Sequence, residues 1–498
     1  MTHPFEIPPS WTWTNLGEIA EVVGGVTKDS KRQNDPSYVE VPYLRVANVQ
    51  RGYLDLSNVA TIRVPEQKAE SLRLQYGDVL LNEGGDRDKL GRGWVWEDQI
   101  PGCIHQNHVF RARIIDGVLA PKLLALFANS FGQKWFQQNG LQSVNLASIS
   151  LTTIKNFPVP LPPLAEQHRI GAALDNLLSR LDIGSSELAA IIQRMDRFRD
   201  QIMYLAGVGR LSSGVSRSLA QLPEPAGVVD GELPDIPGTW QWKRLGEIAD
   251  VIGGVTKDAK RQSNPDFVEV PYLRVANVQR ARLDLAEVTR IRVPPKKAEQ
   301  LRLVPGDVLL NEGGDRDKLG RGWVWEGQIA GCIHQNHVFR ARIRDEVLHP
   351  KLLAWHANGF GRRWFEVNGL QSVNLASISL GKMRQFPVPV PPRDEQEALV
   401  QTAETYLSML DGMEKAVATA RQKAVHLRAS LLADAFAGRL VPQDANDEPA
   451  SESLARVRAE REVALPKQKS RPRRTKKDLP APPTRVTGDD YQQEALPL

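Results

Sequence analysis

Hydrophobic positions along the chain follow two periods in turn, and the succession occurs twice. Short β-branched runs between Gly, Pro and Asn, at Ile19–Val23, Tyr43–Val46, Asp78–Leu81, Trp94–Trp96 and Val109–Ile114, have the pattern of strands. Pro121–Gln138 has helical spacing through Leu124, Phe127, Phe131 and Trp135. The stretches FPVPLPP (Phe157–Pro163) and FPVPVPP (Phe386–Pro392) are expected to lie outside sheet and helix and to close each unit, because proline lacks an amide hydrogen. The period then changes. Ile170, Leu174, Leu177, Leu181, Gly184, Leu188, Ile191, Met195, Phe198, Ile202 and Leu205 recur at alternating four- and three-residue steps, a heptad seam broken only at Gly184. Leu399, Ala403, Tyr406, Leu410, Met413, Val417, Ala420, Ala424, Leu427 and Leu431 repeat it. Five heptads in phase exceed the roughly three turns of a common core helix, so a paired coiled coil is expected.

The two series are copies. Trp11–Gln167 aligns with Trp240–Gln396 at a constant offset of 229 residues without an insertion. Identical stretches include VPYLRVANVQR (Val41–Arg51, Val270–Arg280), NEGGDRDKLGRGWVWE (Asn82–Glu97, Asn311–Glu326), GCIHQNHVFRARI (Gly102–Ile114, Gly331–Ile343) and NGLQSVNLASISL (Asn139–Leu151, Asn368–Leu380). Units this alike are expected to fold alike and to bind the same kind of ligand.

The fold class expected is α+β: two similar mixed α/β units separated by two long helices. The divisions are 1–163, first unit; 164–207, first helical arm; 208–236, linker; 237–392, second unit; 393–438, second arm; and 439–498, a flexible basic tail with room for a short helix near Leu454–Val463. An arm of this length spans roughly 60 Å. Were the arms parallel, the linker would have to return over that distance nearly extended, at ~3.3 Å per residue. Antiparallel pairing avoids this and relates the units by a pseudo-two-fold axis. A two-fold pair suits double-stranded DNA, whose strands also run antiparallel, and implies two half-sites in inverted orientation.

Charge changes the picture little. Of 64 Lys+Arg against 59 Asp+Glu, seven lie in the tail run Lys467, Lys469, Arg471, Arg473, Arg474, Lys476 and Lys477, and without it 57 basic residues face 59 acidic ones. A uniformly basic, histone-like surface is excluded, so an anionic partner must be met by local patches. The start, MTHPFEIPPS, has no leader-like apolar core, and no apolar run approaches the ~20 residues of a membrane span. A cytoplasmic protein with no membrane partner is expected. Cys103 and Cys332 occupy matching positions and are read as reduced, half-buried thiols.

With these elements in order, the chain resembles the specificity subunit of type I DNA restriction-modification systems. The resemblance runs from about Trp11 to Ala450. It is carried by FPVPLPPLAEQ (Phe157–Gln167), its twin FPVPVPPRDEQ, and SLLADAFAGRLVPQDANDEPA (Ser430–Ala450), of which QIMYLAGVGRL (Gln201–Leu211) is a degraded version. It implies a DNA-reading scaffold without catalytic residues, whose units are target-recognition domains. Methyltransferase (modification) subunits and restriction/motor subunits would be its protein partners. The chain itself would bind no cofactor; S-adenosylmethionine, ATP and Mg would reside on those partners. Family members commonly carry unlike recognition units. Near-identical ones here imply one short word read twice, with Asn34 against Ser263, Gln137 against Glu366 and Leu126 against Trp355 leaving room for one base of divergence.

Three motifs carry the candidate DNA contacts. In EGGDRDKLGRG (Glu83–Gly93), glycines admit backbone approach to phosphate, while Arg87, Lys89 and Arg92 reach phosphate or a guanine edge; the twins are Arg316, Lys318 and Arg321. The competing reading is a solvated loop whose Asp86 and Asp88 neutralise its own cations. No G-x-x-x-x-G-K-[ST] fits it, so it is not a nucleotide loop. GGVTKDSKR (Gly24–Arg32) offers Lys28, Lys31 and Arg32, and its copy Lys257, Lys260 and Arg261, for phosphate contacts. Gln106 and Asn107, with Gln335 and Asn336, have amides able to pair with adenine. Zinc at Cys103, His105 and His108 is disfavoured because a closed site wants four ligands, and no metal site is expected. One Trp of each pair, Trp94/Trp96 and Trp323/Trp325, is expected in the core, and Asn145 and Asn374 are expected to cap or turn.

Two other function classes compete. An autonomous methyltransferase or nuclease would need a cofactor fingerprint and an N-P-P-[YF] tetrapeptide, and the nearest approach, Asn264-Pro265-Asp266-Phe267, is absent from the first copy. A coiled-coil protein-binding scaffold would explain the arms but not the glycine- and arginine-rich loops.

Overall fold

A computed structural model describes residues 5–464, apart from 116, 143–146, 212–215, 219–221, 259–261 and 372–374. Its chain divides into two compact units, Met1–Leu178 with Arg428–Leu498, and Ser179–Leu427. Each contains one copy of the repeated domain; the first also holds the start of the first arm and the end of the second, and the second unit the remainder of both.

In the first unit the alternating runs build an antiparallel four-stranded sheet in the order Ala20–Gly24, Val109–Ile114, Val79–Asn82, Gly93–Val95. A second sheet orders Ala60–Pro65, Tyr38–Leu44 and Ile104–His105, the last strand running parallel to its neighbour. Leu44, Leu80, Trp96, Cys103 and Val109 form one buried cluster and Ile62, Val64, Leu72 and Ile104 another. Trp96 is the core member of its pair, and Trp94 is half-buried. Cys103 is fully buried, not half-buried as expected, and burial pushes its thiol up to about 12. The second unit repeats both sheets with Ala249–Ile252, Val338–Ile343, Val308–Asn311 and Gly322–Val324 in the larger one.

Two local expectations need correction. Pro158–Leu161 is a strand, paired antiparallel with Thr12–Asn15. Prolines at alternate positions turn every missing amide to the open edge, so a two-stranded pair loses no ladder bond. The helix expected over Pro121–Gln138 is broken at Ser130 into Pro121–Asn129 and Phe131–Asn139. The break follows from the use of Asn129: its carbonyl accepts from Arg51 Nη1 at 2.6 Å, and its side chain clamps the N–H and C=O of Gly93 at 3.1 and 2.7 Å.

The arms are helices Leu164–Gly207 and Arg393–Phe436. The AEQ and DEQ residues anchor their starts. Trp11 Nε1 donates to Glu166 Oε2 at 2.8 Å, and Trp240 Nε1 to Glu395 Oε2 at 2.9 Å. The Gln167 side chain serves Val118 O, Pro162 O and Ala120 N, and Gln396 makes the equivalent bonds. In the second unit the arms pair antiparallel: Met203 and Ala206, ending the first, share a core with Leu399, Val400 and Ala403, starting the second. Met195 packs with Leu410 and Val417, and Arg199 bonds Asp411 at 2.7 Å.

The seam departs from the expected one after Leu188. Met195 and Ile202 pack as expected, but Ile191 and Phe198 are exposed, as are Tyr406, Met413 and Leu427, while Ile192 packs and Ala206 is buried in their place. A straight helix drifts by ~20° per heptad, so a constant face advances one position, from 191/198 to 192/199.

The expected tail also divides. Residues 439–464 are packed in the first unit: Ala450, Leu454 and Val457 of the helix Ala450–Ala464 are buried, Arg169 pairs with Asp447, and Arg461 Nη1 donates to the carbonyls of Gly17 and Glu18 at 2.7 and 2.8 Å. The helix buries only one stripe, which is why its polar composition reads as solvated. The basic run 467–477 lies outside the described residues.

Candidate nucleic-acid interface

One backbone ladder gathers the motif loops of the first unit. Val26 forms a parallel bridge with Gln106; Val26 N donates to His105 O and Asn107 N to Val26 O, each at 2.9 Å. This approach requires Gly25, since a Cβ there would stand 2.0 Å from His105 O. Gln106–Val109 is a turn closed by Val109 N to Gln106 O, with Gln106 N held by Leu44 O. On its far side Glu83 N donates to His108 O, and Gly84–Gly85 pairs with Ala147–Ser148. The segments at 24–26, 105–108, 83–85 and 147–148 therefore form one edge. The second unit reproduces it: Val255 bridges Gln335, and Glu312 N donates to His337 O at 3.0 Å.

His105 anchors the turn from within. It is fully buried, its Nδ1 lies 2.7 Å from Val109 O, and burial lowers its pKa to about 4, as it does for His334. A neutral imidazole is a structural peg there. Cys103 Sγ turns to its neighbour Ile104 O, and His108 to Glu83, so the three residues considered for zinc face separate partners.

Lys28, Lys31 and Lys257 are exposed on the loops beyond the ladder, with Asp29 Oδ1 accepting from Lys31 N at 3.0 Å. The side chain of Arg32, and Lys260 and Arg261 altogether, lie outside the described residues, as do Asn145 and Asn374. Gln106 and Asn107, with Gln335 and Asn336, are half-buried at the turn. Of the glycine-rich loop, Arg87 is exposed and donates one N–H to Gln137 O at 3.1 Å, as Arg316 does to Glu366 O at 3.2 Å. Lys89 pairs with Asp86 and Lys318 with Asp315. Arg92 is half-buried, donating to Val46 O at 3.3 Å; burial lowers its pKa and that of Arg321. Part of this loop's charge thus neutralises or braces the loop itself.

Sequence reasoning missed two elements of the edge. Arg51 Nη2 donates to Asp88 O at 2.9 Å while Nη1 holds Asn129 O, so this guanidinium staples the loop to the helix break; Arg280 does the same in the second unit. Glu83 and His108 form an exposed pair at 2.9 Å, repeated by Glu312 and His337 at 3.0 Å. Both lie in the identical stretches, which was their signal. Trp355 and Leu126, allowed above to differ in reading a base, are both buried core residues.

The model of the type I restriction modification DNA specificity domain matches residues 8–193. The EcoAI type I restriction enzyme specificity subunit of Escherichia coli is 44% identical over 523 residues, covering 87% of this chain and 83% of that protein. The chain belongs to the type I restriction enzyme specificity subunits. Another specificity subunit, that of the StySPI enzyme of Salmonella potsdam, is 24% identical over 488 residues, 94% of this chain and 98% of its own. Among solved structures, a chain from a type I R-M system described for its complex assembly and conformational transition aligns with TM-score 0.64 at 20% identity, over 88% of this chain and all of that one. The HsdS subunit from Thermoanaerobacter tengcongensis aligns with TM-score 0.51 at 19% identity, over 88% and 99%. The specificity-subunit fold is thereby shown, with DNA target recognition as its function. Among the described residues no helix is long and apolar enough to cross a membrane.

Proposed function

We propose that this specificity subunit reads one short DNA word twice, in inverted orientation, with unread base pairs between. The observation that carries the reading is the identity of the two edges, from Gly84–Gly85 with Glu83 and His108 to Gly313–Gly314 with Glu312 and His337. Lys28, Lys31 and Arg87 with their counterparts supply backbone-positioning charge, and Gln106 and Asn107 with theirs read base edges. The chain performs no chemistry itself. It scaffolds adenine methyltransferase subunits and restriction/motor subunits in the cytoplasm; S-adenosylmethionine, ATP and Mg belong to those partners.

A methylation assay tests this division of labour. The purified chain, the modification subunit and their mixture are each given duplex DNA and labelled S-adenosylmethionine. Label transfer by the mixture only is expected; transfer by the lone chain would make it an enzyme.

A further inference from the structure

We infer that Glu83 and His108 are positioning residues that fix the amide of Asn107 as a reader of adenine, with Glu312, His337 and Asn336 doing the same in the second copy; this rests on the DNA-reading assignment and deepens it. Asn107 and His108 occupy the two central positions of the turn Gln106–Val109, whose backbone is locked from both sides. Glu83 Oε2 stands 2.9 Å from His108 Nδ1, and Asn107 Nδ2 stands 3.3 Å from His108 Nε2. The second copy has 3.0 and 3.3 Å.

The chemistry of the three groups sets one direction. An ionised carboxylate only accepts, so Nδ1 of the imidazole carries the proton and donates it to Glu83. Nε2 of a neutral ring is then an acceptor, which takes a hydrogen from the Asn107 amide and so decides which end of that amide is nitrogen. Asn107 keeps its Oδ1 and a second amide hydrogen without partners among the described residues. An adjacent acceptor and donor in one plane is the complement of adenine N6–H and N7 in the major groove. A free asparagine could present either order; the carboxylate–imidazole relay selects one before DNA arrives. The base of the turn is rigid because the buried His105 and the Val26 ladder hold it, as a reading group requires.

The test is a binding selection from random duplexes, using the full chain assembled with its modification subunits. Asn107→Ala with Asn336→Ala is expected to flatten preference at one A·T pair in each half-site by roughly 5- to 150-fold, the worth of one bidentate pair, with other positions unchanged. His108→Phe with His337→Phe should weaken the same position by less, and Glu83→Gln with Glu312→Gln, made in the otherwise unchanged chain and keeping an acceptor for Nδ1–H, should leave it near the parent's selectivity. These side chains are exposed or half-buried, and melting temperatures checked on each variant separate unfolding from lost reading. Unchanged selectivity in the asparagine pair, or equal loss at all positions, overturns the relay while leaving DNA recognition intact. Binding without any preference by the unsubstituted complex overturns DNA recognition itself.

Discussion

The two recognition domains agree where they are proposed to meet DNA and disagree where they meet the rest of the chain. The edge around His108 recurs atom for atom around His337. Next to the entry of each domain the copies part. Where the first has Asn15, the second has Arg244, which forms a buried ion pair with Asp230 of the linker at 2.7 Å; Trp364 Nε1 donates to the same carboxylate at 3.0 Å. The first domain is instead closed by the C-terminal helix, with Arg458 pairing Glu18 at 2.6 Å. Where the first has Phe127 against Phe436, ring centres 5.0 Å apart, the second has His356 against Gly207. Divergence thus tracks the segment each domain packs against, and identity tracks the edge proposed to read DNA.

The sharpest way to break this comparison is Arg244→Ala. It strands the Asp230 carboxylate in the interior and is expected to cost about 3–5 kcal/mol of second-unit stability, whereas Asn15→Ala, at a helix start without a side-chain cap bond, should cost under about 1 kcal/mol. Hydrogen exchange resolved by unit reads both, and equal effects would mean the two closures are equivalent after all.

Acidification separates the units next. His105 in the first, and His334 and His356 in the second, are held neutral by burial with pKa values of about 4. The unfolded chain protonates near 6.5, so below that pH it binds more protons than the native state, and stability falls as pH drops toward 4. At pH 5 each histidine withdraws about 2 kcal/mol. Burial also lowers His349, whose counterpart is Ala120, so the second unit should lose at least twice as much as the first from this source, and replacing His356 with Phe, its counterpart's residue, and His349 with Ala should narrow the gap. A gap that persists would place the acid sensitivity elsewhere.

The smallest effect belongs to the arms. Arg199→Ala removes partly exposed pairs to Asp411 and Glu414 and should cost about 0.2–1 kcal/mol in urea melts. A larger loss would show that polar pairing, not Met195 with Leu410 and Val417, holds that stretch.

Periodicity reveals much of this architecture because it is itself a repeat: strands, arms and duplication are each a spacing in the sequence. What it hides is set by tertiary partners. Phe198 satisfies the heptad rule yet faces solvent, since the drift of a straight helix is invisible in a list of apolar positions. Ser130 breaks a well-spaced helix because Arg51, 79 residues earlier, takes the carbonyl beside it. Residues 439–464 read as solvated because their burial depends on a domain at the other end of the chain. At the edge, the glycines and the amides of Gln106 and Asn107 were legible. The pairing of Lys89 with Asp86 matches the competing reading of that loop, whereas the His108 relay was not legible, because charge and spacing do not say which partner a side chain takes.

The claim that identical edges read identical words is tested most directly by sequencing methylated adenines in DNA from cells carrying the complete system. The account requires a bipartite site whose halves are the same word in inverted orientation. Two unlike halves would contradict it.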